Sequence, residues 1–289
     1  MDLLSYLPKI LHRHKVIEFL CNFNLQKRYA KCKFNEFSTA YVDLLDPEPR
    51  NTYITGSFEP FFYKIALAFL PKKGVFFDLG ANTGFCSFGL VKQREDAKYH
   101  LFEANIELVK LISKSVLLSE NENTVFCNNH CCLAKNSGFS YFNIQPDQSG
   151  QSHTSPNSRN GVKIKNLVLD DYCNKKNIDS VDFAKIDIEG QEYPAIIGWE
   201  NFLRQKKVTA LFIESLPRNV KRYGIDIRDP LNFLENFGYQ LYLCKKQDFA
   251  NFADQPELTT FPCGKLEVAK FKAKNYPSDF STEILAVAT

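Results

Sequence analysis

The sequence predicts an α/β fold: a Rossmann-like, doubly wound sheet of seven strands with helices on both faces, and a helical extension at its N-terminal end. Three observations predict it. Short apolar runs rich in Phe, Val and Ile alternate with amphipathic helical stretches from residue 61 onward. Successive strand-like runs end in an acid, first at Asp78 and then at Glu103. A glycine turn, Gly80 to Gly84, joins the first of these runs to a helical stretch.

That turn organises the chain. Val75-Phe-Phe-Asp-Leu-Gly-Ala-Asn-Thr-Gly84 reads as buried strand, acid and tight turn, with a helix over 85–92 beginning at the loop. The glycines are spaced G-x-x-x-G and lack the G-x-G-x-x-G of a dinucleotide site. Asp78, two residues before Gly80, repels a pyrophosphate and favours a ligand with a cationic amine and no phosphate. S-adenosylmethionine (SAM) carries such an amine and a sulfonium. An ordinary strand–turn–helix corner with a solvated Asp is the other reading of this stretch alone.

The elements follow in order. Leu3, Leu7, Ile10, Leu11, Val16, Ile17 and Leu20 recur near helical spacing, with Pro8 in the first turn. Residues 1–35 carry seven Lys/Arg against Asp2 and Glu18. A helix docked on the main domain is favoured there over a membrane-surface anchor, and the extension offers a homodimer contact. Tyr41 to Leu45 reads as a short strand, Asp46-Pro-Glu-Pro49 as a turn, and 61–70 as an apolar helix stopped by Pro71 and Gly74. Lys98 to Glu103 is the second core strand, 106–118 a helix and 124–128 the third strand, with Asn128 and Asn129 at the level of an adenine ring. Phe139, Tyr141, Phe142 and Ile144 suggest a strand pair. The polar run 147–161, holding His153, reads as a lid, a substrate loop or a surface insertion. Strands over 181–188, 208–213 and 239–244, helices after residue 169 and over 229–237, and a last strand over 283–288 complete the count, with 245–280 read as irregular. The division expected is a helical extension over 1–50 and one α/β domain over 51–289.

Composition bounds the function. A chain of 289 residues buries about 75% of its unfolded surface and needs no staples. The net charge of +3 is too small to argue for nucleic acid. Nine cysteines without a C-x-x-C read as free, mostly buried thiols in a reducing compartment. No run approaches the ~20 apolar residues of a membrane span. A soluble cytoplasmic protein is expected.

With these residues in place, the chain resembles the FkbM family of SAM-dependent methyltransferases. Phe77-Asp-Leu-Gly-Ala-Asn-Thr-Gly84 looks like that family's D-x-G-A-N-x-G loop, Leu101-Phe-Glu103 like its A-F-E-P stretch, and Lys185-Ile-Asp-Ile-Glu-Gly-Gln-Glu192 like its K-x-D-x-E-G-x-E segment. Leu169-Asp-Asp171 is similar to its T-L-D element, while Ala104 stands where a proline is usual. The resemblance covers roughly residues 50–215. It implies the class I methyltransferase sheet with an antiparallel last strand, and methyl transfer to a hydroxyl of a sugar, glycan or secondary metabolite.

In that reading Asp78, Gly80 and Gly84 hold the methionine part, Asn82 bonds its carboxylate or amine, and Glu103 accepts the ribose hydroxyls. A hydroxyl acceptor gains from a base near the attacking oxygen. Asp187, Glu189 and Glu192 follow the fourth strand; Glu189 is the first choice and Glu192 the second. Asp187 shares a face with Lys185, and an ion pair makes it a poor base. Lys185 with a pKa lowered by burial, and His153 on a closed loop, are further catalytic choices. Glu192 can instead cap the next helix. Three acids in six residues can bind a divalent ion, but none is expected because no further ligand is identifiable. Three other classes compete. A nicotinamide dehydrogenase lacks its fingerprint here. A nucleic-acid base methyltransferase needs an Asn/Asp-Pro-Pro-aromatic segment where this chain has Asp-Ile-Glu-Gly. A non-catalytic methyltransferase-like scaffold requires a blocked or empty pocket.

Overall fold

A computed structural model describes residues 13–118, 124–155, 161–249 and 251–289. Helix α1 spans Arg13–Asn22, and β1 (Tyr29–Phe34) and β2 (Ser38–Asp43) form an antiparallel hairpin. Helices α2 (Pro47–Thr55) and α3 (Pro60–Phe69) lead into β3 (Val75–Leu79), α4 (Phe85–Leu90), β4 (Lys98–Glu103), α5 (Ile106–Val116) and β5 (Val125–His130). An inserted segment carries β6 (Cys132–Leu133), β7 (Gly138–Asn143), β8 (His153–Thr154) and β9 (Val162–Leu167). Then come α6 (Leu169–Lys175), β10 (Val181–Ile186), α7 (Glu192–Ile197), α8 (Glu200–Arg204), β11 (Val208–Ser215), α9 (Pro217–Lys221), α10 (Asp229–Asn236) and β12 (Tyr239–Leu243). Strands β13 (Glu257–Phe261), β14 (Gly264–Phe271) and β15 (Thr282–Ala288) close the chain.

The main sheet runs β13-β14-β12-β15-β11-β10-β3-β4-β5. Strands β5, β4, β3, β10 and β11 are mutually parallel, and β15 is antiparallel to both β11 and β12. The seven predicted core strands are all present, but the sheet has nine. The additional two are the β13–β14 hairpin, inside the stretch expected to be irregular. Pro262 sits in the tight turn between the two strands, outside the hydrogen-bonded ladder.

Both faces of the sheet are covered, which explains the near-continuous apolar strands. Neighbouring side chains alternate between two cores. Phe76 packs with Phe62 and Phe183 on one face, ring centroids 6.3 and 6.0 Å away. Phe77 stacks on Trp199 on the other, with centroids 5.2 Å apart and an interplanar angle of 6°. The first core joins α3 and α4 to α1 and the β1–β2 hairpin; the second joins the sheet to α6, α7, α8 and α10.

The N-terminal extension differs from expectation. Only Arg13–Asn22 is helical among its first described residues, and the chain then forms a hairpin. Cys32 and Phe34 on β1 and Ala40 and Val42 on β2 are buried at alternate positions, a period of two that a helix cannot satisfy. Leu3, Leu7, Pro8, Ile10 and Leu11 lie outside the described residues. The strand pair expected near residue 140 is a four-stranded sheet, β6-β9-β7-β8. The described part of the polar run holds a single 3-10 turn at Ser149–Gln151 and β8; residues 156–160 lie outside the described residues. All nine cysteines are free and seven are buried. Among the described residues no helix is long and apolar enough to cross a membrane.

Candidate active site

The site lies where the strand order reverses. The chain leaves β3 through α4 toward β4 on one side, while β10 lies on the other, so the loops after β3 and β10 face each other. They meet without a side chain between them. Gly80 has φ +85°, and a Cβ there would sit 1.9 Å from the Asp187 carbonyl oxygen. The Asp187 amide donates to the Leu79 carbonyl at 3.0 Å, and the Gly80 and Ala81 amides both donate to the Phe102 carbonyl at 3.0 Å. Gly84, φ +78°, opens α4.

Around this crossing is a cavity of about 210 Å³. Its floor is residues 80–83, 102–104, 131–133 and 187–189, with Glu214 from the end of β11. Glu48, Phe58 and Glu59 wall it from the N-terminal segment, and Ser149, Gly150, Ser152 and Thr154 from the inserted loop. That loop is tied down over the cavity. The Ser149 amide donates to Asp46 at 2.9 Å and its hydroxyl to Asn82 Oδ1 at 2.9 Å. The Tyr223 hydroxyl donates to the Thr154 carbonyl at 2.6 Å.

Glu103 is buried, and each carboxylate oxygen accepts one amide at 2.8 Å, from Asn82 and Asn105. Each oxygen keeps a further lone pair at the cavity wall. Burial holds this carboxyl up at about 7 against the pull of those amides. Asn82, in the left-handed region at φ 51°, aims its Nδ2 at Glu48 Oε2, 3.4 Å away. Asp78 is below the loop and not on the cavity wall. Its Oδ2 accepts the Ser87 hydroxyl at 2.6 Å, and its Oδ1 is buried without a partner. Burial raises its pKa, opposed by Lys185 and Ser87.

On the β10 side, Lys185 Nζ lies 2.6 Å from Asp187 Oδ2. Burial by itself lowers the lysine pKa, but the surrounding acids, Asp187 foremost, outweigh it and the pKa stands well above the usual value. This is the opposite direction from the lowered lysine pKa expected from burial, because Asp187 lies against the ammonium. Glu189 is held at φ 55° and faces the cavity, its Oε2 accepting from Asn219 Nδ2 at 2.8 Å. Burial first, then Asp187 and Glu192, raise its pKa to about 7. Glu192 turns the other way. Its Oε1 accepts the amides of Ile188 at 3.1 Å and Gly190 at 3.0 Å, so it shapes the loop that carries Glu189 and lines no part of the cavity. Burial raises it to about 7 as well.

Three further candidate residues lie outside the cavity. His153 bonds the Gln151 carbonyl at 2.9 Å. Asn128 ties β5 to α5 through the Val109 carbonyl at 2.9 Å, and Asn129 bonds the Leu101 carbonyl at 3.0 Å. Strand β5 runs to His130, past the end expected at 128, so Cys131, Cys132 and Leu133 occupy the position expected for the two asparagines. Sequence reasoning also missed Glu48, Glu59 and Glu214. Glu214 had a signal: it is an acid ending an apolar central strand, as Asp78 and Glu103 are. Burial and then Asp187 raise its pKa, opposed by Lys185. Oxygen atoms of Asp187, Glu189 and Glu214 lie within 4.8 Å of one another, a spacing compatible with a divalent ion.

No curated protein sequence matches the chain. Solved structures align with the chain at low identity. A precorrin-6y C5,15-methyltransferase from Geobacter metallireducens aligns at 10% identity over 78% of this chain and 87% of that one, with a TM-score of 0.38. TYW2 of M. jannaschii, solved in complex with AdoMet, aligns at 9% over 91% and 88%, TM-score 0.38. A TehB-like SAM-dependent methyltransferase from Corynebacterium glutamicum aligns at 12% over 78% and 94%, TM-score 0.37. The family model of the methyltransferase FkbM domain matches residues 78–241, more than half of the sequence and the whole span from Asp78 through the acids after β10, and the chain belongs to that methyltransferase family.

Proposed function

We propose that the protein is a SAM-dependent O-methyltransferase acting on a hydroxyl of a small-molecule or glycan acceptor, a sugar or secondary metabolite. One observation carries this reading: the cofactor-loop groups and a carboxylate tuned near neutrality line the same cavity from opposite sides. The residues fit the cofactor. Gly80 lets the loops after β3 and β10 close into one cavity wall, Glu103 faces that cavity with lone pairs for a ribose, and the acid-rich wall suits a cation.

SAM, when bound, supplies a methyl group on a sulfonium that leaves as a neutral thioether. Gly80, Asn82 and Glu103 bind and orient it. Glu189 accepts the acceptor hydroxyl's proton through the oxygen that Asn219 does not bond. Its left-handed backbone, which costs a non-glycine residue about 1 kcal/mol, places the carboxylate in the cavity and is enforced by Gly190 and Glu192 beneath it. Glu214 lines the cavity beside the Lys185–Asp187 ion pair. The strapped loop over Ser149 excludes water.

The test is calorimetric titration with SAM, beside Glu103→Ala and with NAD as the control, followed by methyl transfer to a panel of hydroxylated acceptors. Saturable SAM binding that the variant loses supports the reading. A folded wild type that binds no SAM removes it, and leaves the scaffold as the reading to pursue.

A further inference from the structure

Twelve large apolar side chains are exposed among the described residues, and five of them fall between Phe19 and Phe37. Phe19 is 54% exposed, Phe23 63%, Leu25 58% and Phe37 58%, with Tyr29 beside them. Singly, exposed apolar residues need no explanation; clustered, they mark a docking surface. Phe19 and Phe23 are in contact, Leu25 follows in the turn after α1, Tyr29 opens β1, and Phe37 stands at the far turn of the hairpin. The other face of α1, Ile17 and Cys21, is buried in the core, so the helix is docked and still presents Phe19 and Phe23 outward, their rings 4.4 Å apart. The amides of Leu25 and Gln26 then bond back to the Leu20 carbonyl at 2.8 and 3.1 Å, which turns the chain directly into β1.

Strand β1 alternates. Tyr29, Lys31 and Lys33 are exposed, while Cys32 and Phe34 are buried. More lysines reach in from α5 and from the turn after α4. Lys114 of α5 lies 5.9 Å from the centre of the Tyr29 ring, and Lys92 lies 5.1 Å from that of Phe37. Leu117, 82% exposed, ends α5 beside Lys114. Among the described residues, Lys27, Lys31, Lys33, Lys92 and Lys114 form no ion pair, and Glu18 on α1 is engaged by Arg50 at 3.4 Å. The face therefore interleaves aromatic rings with uncompensated cations.

We propose that this face, formed by the end of α1, the outer side of β1 and the adjoining Lys92 and Lys114, docks on an anionic lipid bilayer. The charge selects the occupant: a second copy of the same face would set lysine against lysine. The aromatics select a bilayer over a nucleic acid. Phe and Leu side chains enter the headgroup boundary as lysines meet anionic lipid, an arrangement phosphate backbone contacts do not need. The face adjoins the site. Arg28, its guanidinium 5.6 Å from the Tyr29 ring centre, also pairs with Asp147 of the strapped loop at 3.7 Å. Docking brings that loop to the membrane surface. The inference is independent of the reaction assigned to the cavity.

The test is flotation of the full chain with phosphatidylcholine vesicles, with and without phosphatidylserine, at low and high salt. Two variants accompany it, Lys31→Gln/Lys33→Gln and Phe19→Ser/Phe23→Ser. All four side chains are exposed, so both variants should melt as the wild type does. Binding to the anionic vesicles alone is expected, weakening with salt. The lysine variant should lose about 30-fold at low salt and the phenylalanine variant at least about tenfold. Equal binding to both vesicles, no binding, or binding that neither variant weakens overturns the proposal. A wild-type dimer that the phenylalanine variant dissociates, or an RNA oligonucleotide that binds more tightly than the vesicles at the same salt, overturns it in favour of those occupants.

Discussion

Replacing Gly80 with alanine tests whether the crossing of the β3 and β10 loops is what builds the site. Two costs are separable. At φ +85° an L-residue costs about 1–2 kcal/mol from backbone strain. The new Cβ would also sit 1.9 Å from the Asp187 carbonyl oxygen, so the loops must part by about 1.5 Å to reach ordinary contact. That opening loses the hydrogen bond from the Asp187 amide to Leu79, worth about 0.5–1.5 kcal/mol. The sum is about 1.5–3.5 kcal/mol, a fall of roughly 5–10 °C in Tm for a chain of this size. Gly56→Ala is the control: φ is +68°, but nothing lies within 4 Å of its Cβ. It carries the strain alone, roughly 3–6 °C. Thermal melts of the two variants, with SAM titrations beside them, read both quantities. Gly80→Ala should melt below Gly56→Ala and lose SAM affinity, because Asp187 and Glu189 move with the loop. If the two variants melt together and Gly80→Ala binds SAM normally, the close approach does not organise the site.

Three more predictions concern the acids and the strap. Once an acceptor is found, Glu189→Gln should lower kcat about 10²–10⁴-fold with SAM affinity retained; Glu192→Gln keeps an oxygen for the Ile188 and Gly190 amides and should stay near wild-type activity. The reverse order would make Glu192 the base. The folded pKa of Glu192 is raised to about 7, so the stabilisation from its protonated form is complete below the unfolded value near 4.5 and is lost as pH rises through about 7. Urea melts of Glu192→Gln should therefore match wild type near pH 5 and exceed it by up to about 3 kcal/mol near pH 8; a variant less stable at the higher pH contradicts this sign. Asp46→Ala removes the acceptor of the Ser149 amide, and stopped-flow SAM dissociation should quicken roughly fivefold, the worth of about one hydrogen bond. An unchanged rate would show that the strap does not gate the cavity.

Sequence alone determined the sheet core and its polarity. Apolar runs such as Val75–Leu79 and Val208–Ser215, buried on both faces, are written in the residue types themselves, and so is the glycine turn that only glycine fits at φ +85°. The acids at strand ends were equally legible, because a strand's direction and its last residue are local properties. What tertiary structure decided was which way each side chain turns. Glu189 and Glu192 are three residues apart with like chemistry, yet one faces the cavity and the other bonds the loop amides. The Lys185–Asp187 pair was legible from its spacing, but Glu59 and Asp78 add to the upward shift of the lysine pKa from elements distant in sequence. Glu48, Glu59 and Ser149 reach the site from segments far apart along the chain, the first two from the N-terminal segment and the third from the inserted loop. No spacing within a single stretch encodes those meetings. They arise from long-range packing, because burial and the field of distant charges depend on neighbours that only the folded chain brings together.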